Sequence, residues 1–443
     1  MSSVAHSERR IPGDALAWAI GGTLRPWHAL IVAPSLLFLA TLALMLFHPP
    51  DFNFHSVDRV AFGLLILVVL LRVCVLQQPL RCGGSITWPM LALLVLAFCG
   101  ALAQPNDAET WSLFAAKWLV PFTLYHLAVY VFKDERSLHQ FETFSLIVLA
   151  YLSLTAIFFM FDVKQFIFPR YILDESLGYH ADRARGPFLQ AVANGVTLNL
   201  LGIVALNSFR RRRLRGVVAI LFLAALSLAI VATKTRAVWL SFALSVLVLL
   251  FFSPSQRLRR ACLCLVLAGG IGLAAVVTLA DRNTSLGDRL QERGPVIFRM
   301  AIYQAGWEMF LKKPLTGWGA ADMQTELSKR ISDFHQEQFF FHNTYLEIVV
   351  QYGLVGLLFY LWIVVDLFKL GRSRNPAGFP AGSSFLDQEF RSLWPLLLGV
   401  YLLNGSFVVM NYQFVNGFLF TVAGLLVAQN RRNEAIEPNA LTY

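Results

Sequence analysis

The chain has 443 residues, of which 57% are hydrophobic and only 14% are charged. Because soluble domains carry roughly 25% charged residues, this composition excludes an ordinary soluble protein and predicts one that crosses a membrane many times. The net charge of +10 is typical of cytoplasmic loops rich in Lys and Arg, so we expect membrane lipids around the chain and no nucleic-acid partner.

Long apolar stretches recur along the sequence without the alternation of a membrane β-strand, so the spanning elements are predicted to be α-helices. At about 20 residues per spanning helix, the chain has room for about twelve of them. We predict an all-α polytopic membrane protein in which residues 1–443 form a single integral membrane domain. The predicted spans are 29–47, 60–76, 88–104, 112–132, 142–161, 188–208, 216–233, 237–252, 261–280, 344–368, 393–411 and 414–429.

Basic clusters fix the predicted orientation of these spans. Because such clusters stay on the cytoplasmic side, both termini are predicted to be cytoplasmic. Two long segments, 162–187 (the first loop) and 281–343 (the large loop), then lie on the outer side of the membrane, and loops of this length without a structural role are uncommon. The clusters follow the sixth, eighth, tenth and twelfth spans, at 210–215, 256–260, 372–374 and 431–432.

The large loop contains a helical pattern. A Pro–Gly break ends this pattern, and the apolar side chains before it recur at helical spacing. We predict one or two amphipathic helices that lie on or against the outer face of the membrane. They either anchor the loop in the interface or cover a site beneath it, and the spacing leaves both open. The apolar positions are Phe298, Ala301, Ile302, Ala305 and Met309.

Arginines near the ends of spans are costly unless they face a partner or a cavity. Arg236 is placed at the start of the eighth span, where a cation opposes the helix macrodipole unless an anion is bound there. Arg185 precedes the sixth span, and Arg299 lies in the amphipathic segment. We interpret Arg236 and Arg185 as anion contacts in preference to lipid anchors. Arg299 is a further candidate, which a solvated helix face would also explain.

His342 stands at the mouth of the tenth span, directly after three phenylalanines. If the segment from His342 to Gly356 is one helix, these two residues share a face with Tyr345 and Gly353, and the glycines let another helix approach closely. The histidine is then predicted to point into the bundle. A lone histidine is often structural, but three arginines on the same side favour a site that binds pyrophosphate and moves one proton.

The stretch around this histidine carries a family resemblance. "HNTYLEIVVQYGLVG" (342–356) resembles the pattern of the O-antigen ligases, with His342, Asn343, Gly353 and Gly356 at its fixed positions. Three further stretches are similar to segments of the same family and occur in the family's order. They are "RARGPFLQAVAN" (183–194), "TKTRAVW" (233–239) and "RMAIYQAGWEMFLKKPLTGWG" (299–319).

The resemblance implies a GT-C-type glycosyltransferase in the bacterial inner membrane. It implies transfer of O-antigen polysaccharide from undecaprenyl pyrophosphate to a lipid A-core acceptor at the periplasmic face, and we predict that neither a metal ion nor another cofactor takes part. His342 would be the catalytic base. Arg185, Arg236 and Arg299 would hold the pyrophosphate, and Asn343, Tyr345, Gly353 and Gly356 would support the site.

Alternatives remain open at this point. The same pattern occurs in O-antigen polymerases and in pilin O-oligosaccharyltransferases, which use other acceptors. A transporter of lipid-linked sugars, from another class, would place its charges near the bilayer midplane, whereas the arginines here gather at one face. Three carboxylates of the first loop, Asp174, Glu175 and Asp182, have no assigned role.

Overall fold

The computed structural model describes residues 34–47, 55–75, 77, 83–178, 180–279, 294–331, 340–372 and 385–436. Within these residues the regular structure is helical, with no strand. The helices are α1 (Pro34–Leu46), α2 (His55–Val75), α3 (Thr87–Leu102), α4 (Ala108–Val131), α5 (Glu135–Met160), α6 (Ala191–Arg210), α7 (Gly216–Ala232), α8 (Arg236–Phe252), α9 (Gln256–Leu279), α10 (Gly294–Lys312), α11 (Gly319–Arg330), α12 (Thr344–Arg372), α13 (Gln388–Gly405) and α14 (Gln413–Ile436).

A helix coincides with each predicted span, which confirms the all-helical prediction. Among the described residues, four helices are long and apolar enough to cross a membrane, namely α4, α5, α6 and α12. Helices α1, α3, α7 and α8 are apolar but shorter. The chain is therefore treated as a membrane protein, while the number of twelve spans and the GT-C type stay predictions.

Parts of the predicted layout lie outside the described residues. They include both termini, whose cytoplasmic location stays a prediction. Residues 281–293 and 332–339 of the large loop and the basic residues at 373–374 also lie outside them. The structure nevertheless describes α10 and α11 of the large loop and most of the first loop.

Helix α6 lies in the middle of the bundle, and nearly all of its residues are buried. Its asparagines are hydrogen-bonded, as amides in a low-dielectric interior must be. The Asn199 amide donates to the Ser241 hydroxyl on α8 at 3.0 Å. The Asn194 amide donates to the Ala184 carbonyl in the first loop at 2.9 Å. These bonds fix the first loop and α8 relative to the same helix.

The large loop builds a small second core against the start of α12. The helix predicted inside residues 294–319 is confirmed as α10, and it packs on α12 together with α11. The residues of α10 that are buried in this core, Ile302, Ala305 and Met309, lie on one side of the helix. Their packing holds the large loop in a defined position. The buried members are Ile302, Ala305, Met309, Met323, Leu327, Ile331, Phe341, Val349 and Val350.

Candidate active site

His342 lies just before α12 and not on it. Its backbone φ of 50° is in the left-handed region, and the helix begins two residues later at Thr344. The Asn343 side chain caps this helix, since its Oδ1 accepts hydrogen bonds from the amides of Tyr345 at 3.0 Å and Leu346 at 3.1 Å. The prediction that His342 heads a stripe on one continuous helix is therefore wrong, because the capped helix starts after it.

Groups from α10 and from the first loop act on His342. Its ring centroid lies 6.3 Å from that of Phe298, and its carbonyl accepts a hydrogen bond from the Tyr303 hydroxyl at 3.4 Å. Burial lowers the pKa of His342, and the charges of Arg299 and His180 lower it further. These surroundings favour the neutral imidazole, which is the form that can accept a proton.

The "RARG" segment and the "TKTR" turn lie side by side. The Ala184 amide donates to the Ala232 carbonyl at 3.2 Å, and the Lys234 ammonium donates to the Asp182 carbonyl at 3.3 Å. Arg236 follows this turn as the first residue of α8. Two motifs that are distant in sequence thus form one edge of the bundle.

Arg236 and Arg299 have guanidinium groups that stay available. Arg236 is exposed, and the cap residue before it, Thr235, makes no side-chain bond to the start of α8. Arg299 is half-buried and close enough to His342 to lower its pKa. Within the part of the chain that the structure describes, no hydrogen bond or ion pair engages either guanidinium. Both groups are therefore suited to hold an anion.

Arg185, by contrast, is engaged inside the first loop and is only 1% exposed. Its Nε and Nη2 donate to the Ile172 carbonyl at 3.1 and 3.0 Å, and further bonds reach the carbonyls of Leu177 and Asp174. These bonds order the loop that carries His180. A direct phosphate contact by Arg185 stays a prediction, and the geometry favours a structural role.

The carboxylates without an assigned role belong to this same loop. Asp174 Oδ1 accepts hydrogen bonds from the amide and the hydroxyl of Ser176, at 2.9 and 2.6 Å. This contact is a local turn and leaves the chemistry of the carboxylates unassigned. Among the described residues, no group of three or more His, Cys, Asp or Glu side chains comes together as metal ligands do. A metal-free reaction stays a prediction.

Helix α12 is broken at Gly353, where φ is 66° and ψ is −165°. The Leu354 amide donates to the Pro314 carbonyl at 2.8 Å, and the Trp318 amide donates to the Val350 carbonyl at 2.9 Å. The turn between α10 and α11 therefore docks on the break, backbone against backbone. This docking satisfies groups that the break removes from the helix ladder.

Gly353 and Gly356 lack room for a side chain for two different reasons. A Cβ on Gly353 would lie 2.1 Å from the Leu315 carbonyl oxygen. The segment that approaches Gly353 is therefore a loop, whereas a helix was predicted. A Cβ on Gly356 would lie 2.2 Å from Tyr352 Cβ in the same helix and 3.5 Å from Leu96 of α3. The prediction of a helix contact is thus wrong for Gly353, because the break lets the loop come closer than any side chain allows.

Gly353→Ala is expected to destabilise the protein by about 2–4 kcal/mol, because it combines a left-handed backbone with an overpacked contact. Thermal unfolding of the purified protein measures this effect. Gly399→Ala in α13 is the matched control, since nothing lies within 4 Å of its added Cβ. Equal apparent melting temperatures for the two variants would contradict the role given to the break.

Tyr345 and Thr344 tie the start of α12 to the end of α13 and the connection that follows it. The Tyr345 hydroxyl donates to the Leu402 carbonyl at 2.5 Å. The Thr344 hydroxyl donates to the Val408 carbonyl at 2.8 Å and accepts from the Met410 amide at 2.9 Å. The backbone that presents the histidine is therefore held against α13 and the connection after it.

Residues 219–361 match the family described as O-antigen ligase. This segment of the chain is similar to the O-antigen ligases. No curated protein matches the sequence. The matched range contains Arg236, Arg299, His342 and both motif glycines, which confirms the family resemblance, whereas Arg185 lies before it.

A buried ion pair links the matched segment, 219–361, to the N-terminal part of the chain, and the sequence analysis missed it. Lys117 Nζ lies 2.7 Å from Glu347 Oε1, with the two side chains 7% and 11% exposed. Lys117 belongs to a π-helical turn of α4, Ala115–Leu119, and such turns often mark functional sites. An ionisable residue inside the predicted span 112–132 was the available signal.

Proposed function

We propose that this protein is an O-antigen ligase, which transfers O-antigen polysaccharide from undecaprenyl pyrophosphate to the lipid A-core. The observation that carries the proposal is the setting of His342 inside an O-antigen ligase domain. Burial and Arg299 lower the pKa of this histidine, which suits a general base. The site would face the periplasm from the bacterial inner membrane.

In the proposed reaction, a hydroxyl of the acceptor sugar attacks the anomeric carbon of the donor, opposite the pyrophosphate. His342 accepts the hydroxyl proton as the new C–O bond forms. The bond from the anomeric carbon to the pyrophosphate oxygen breaks, the pyrophosphate leaves with the electron pair, and the configuration inverts. Arg236 and Arg299 offset the charge that builds on the leaving group. Arg185 holds the first loop beside them.

An apolar cavity near the site suits the polyprenyl chain of the donor. It lies between α4, α12, α13 and α14. Thr344, two residues after His342, is part of its lining, together with Trp118, Tyr360 and Phe420. A tail in this cavity would leave the pyrophosphate beside the histidine.

The pH dependence of transfer is expected to follow His342. A base must be neutral, so activity falls only as the pH drops through its pKa, and the acid limb of kcat/KM is expected at lower pH than for an ordinary histidine. Arg299→Gln removes a charge that lowers this pKa, and the limb is then expected to move to higher pH. A limb that stays at the wild-type position in Arg299→Gln would overturn the assignment.

Arg236→Gln is expected to lower kcat for transfer by about 10²-fold, because one fixed donor to the leaving group is lost. The assay uses purified protein with lipid-linked polysaccharide and lipid A-core. Lys234→Gln is the matched control in the same turn, since its ammonium is bound to the Asp182 carbonyl. Similar rates for the two variants would remove Arg236 from the site.

The acceptor is tested by the fate of the glycan in a deletion strain. A ligase leaves core without polymer while long polymer stays on the lipid carrier. A polymerase leaves a single repeat unit on the core, and a pilin O-oligosaccharyltransferase leaves unmodified pilin. A transporter of lipid-linked sugars would fail the purified transfer assay altogether, and its charged groups would be accessible alternately from both sides of the membrane.

A further inference from the structure

Helix α10 carries an exposed apolar face on the side opposite its core contacts. Its inner side, represented by Ile302 and Met309, is fully buried. Its outer side holds four large apolar side chains that are more than half exposed, a face that a water-facing helix does not ordinarily show. We call these four residues the α10 stripe. They are Ile297 (60% exposed), Met300 (67%), Trp307 (55%) and Leu311 (60%).

The α10 stripe is continuous with the lipid-facing side of α12. Leu315, 63% exposed, lies in the turn after α10, and its carbonyl accepts a hydrogen bond from the Val355 amide at 3.3 Å. Val355 is itself exposed and belongs to a row of exposed apolar side chains down α12. Because α12 is long and apolar enough to cross a membrane, this row faces lipid. The row consists of Leu354, Val355, Leu358, Leu361, Trp362 and Val365.

The residues at the end of the stripe are typical of the lipid head-group level. Lys312 and Lys313 are exposed there, and the Lys313 ammonium lies 4.2 Å from the centre of the Trp318 ring. Trp side chains occupy the interface between head groups and acyl chains, and Lys side chains reach lipid phosphates from it. The polar edge of α10 consists of Gln304 and Glu308, which are both exposed, and the Gln304 amide donates to Glu308 Oε1 at 3.2 Å.

We propose that the α10 stripe binds the surface of the phospholipid bilayer, with its side chains among the lipid head groups and the first acyl carbons. The same helix presents Phe298 towards His342, so α10 has one side on the lipid and one side on the candidate active site. The site therefore borders the membrane surface along α10. This inference does not depend on the proposed function, since it rests on exposure and on the contact with α12.

The test measures the depth of a spin label on α10. The protein, with its native cysteines replaced, is reconstituted into nanodiscs of phosphatidylethanolamine and phosphatidylglycerol. It is labelled at Trp307→Cys, or at Met300→Cys in a second variant, with Glu308→Cys as the matched control. Collision rates with oxygen, which concentrates in lipid, and with a water-soluble nickel chelate are then compared.

Labels at 307 and 300 are expected to show severalfold higher oxygen-to-nickel ratios than the label at 308. A ratio at 307 and 300 equal to that at 308 would overturn the proposal, because the face would then be in water. Shielding from both reagents, with spin–spin broadening between labels, would also overturn it, because a second copy of the chain would cover the face.

Discussion

His342→Ala is expected to lower kcat for transfer by about 10²–10⁴, the range that a general base contributes. The physical reason is that His342 supplies the imidazole beside Arg299, whose charge favours the neutral form that can accept a proton. The measurement is single-turnover transfer with purified protein, lipid-linked polysaccharide and lipid A-core. Folding is checked in parallel, because alanine is disfavoured at the left-handed φ of 50°.

His342→Asn separates the loss of the base from a backbone effect. Asparagine tolerates the left-handed region, so this variant keeps the local conformation but cannot take the proton. It is expected to be as inactive as His342→Ala. His139→Ala is the matched histidine control, because His139 contacts Arg213 in another part of the molecule. Wild-type rates in His342→Asn would remove the base from the proposal.

Lys117→Met is expected to destabilise the protein by about 3–5 kcal/mol, because it leaves the Glu347 carboxylate buried without its cation. The second carboxylate oxygen, Oε2, has no hydrogen-bond partner among the described residues, and the first, Oε1, is paired with Lys117. Replacing both partners, in Lys117→Met with Glu347→Leu, is expected to recover most of the loss, since two apolar side chains can fill the same space.

Apparent melting temperatures of the single and double variants measure this coupling. If the single and double variants have the same stability, the coupling between Lys117 and Glu347 contributes nothing to the free energy of unfolding. Transfer rates of the folded double variant add a second readout. Because Glu347 lies in the first turn of α12, a recovered stability with a lost rate would show that the pair also positions the segment that presents His342.

The break at Gly353 and the contacts of Arg185 explain physically why these two motif residues are needed. Gly353 is required by a loop that docks on the backbone, and Arg185 by carbonyls of the first loop. Neither reason involves a substrate directly. Both nevertheless hold the segments that carry Arg299 and His180, so they act on the candidate site through its framework.

The sequence by itself determined the helices, since apolar stretches of about 20 residues and the spacing of α10 are local patterns that a bilayer and a buried face select. It also placed Arg236, Arg299 and His342 in one family domain. Only the tertiary structure decided that α12 starts after His342 and breaks at Gly353. Only the tertiary structure decided that Lys117 pairs with Glu347. These features depend on backbone docking and charge pairing between segments far apart in the chain, which no local periodicity records.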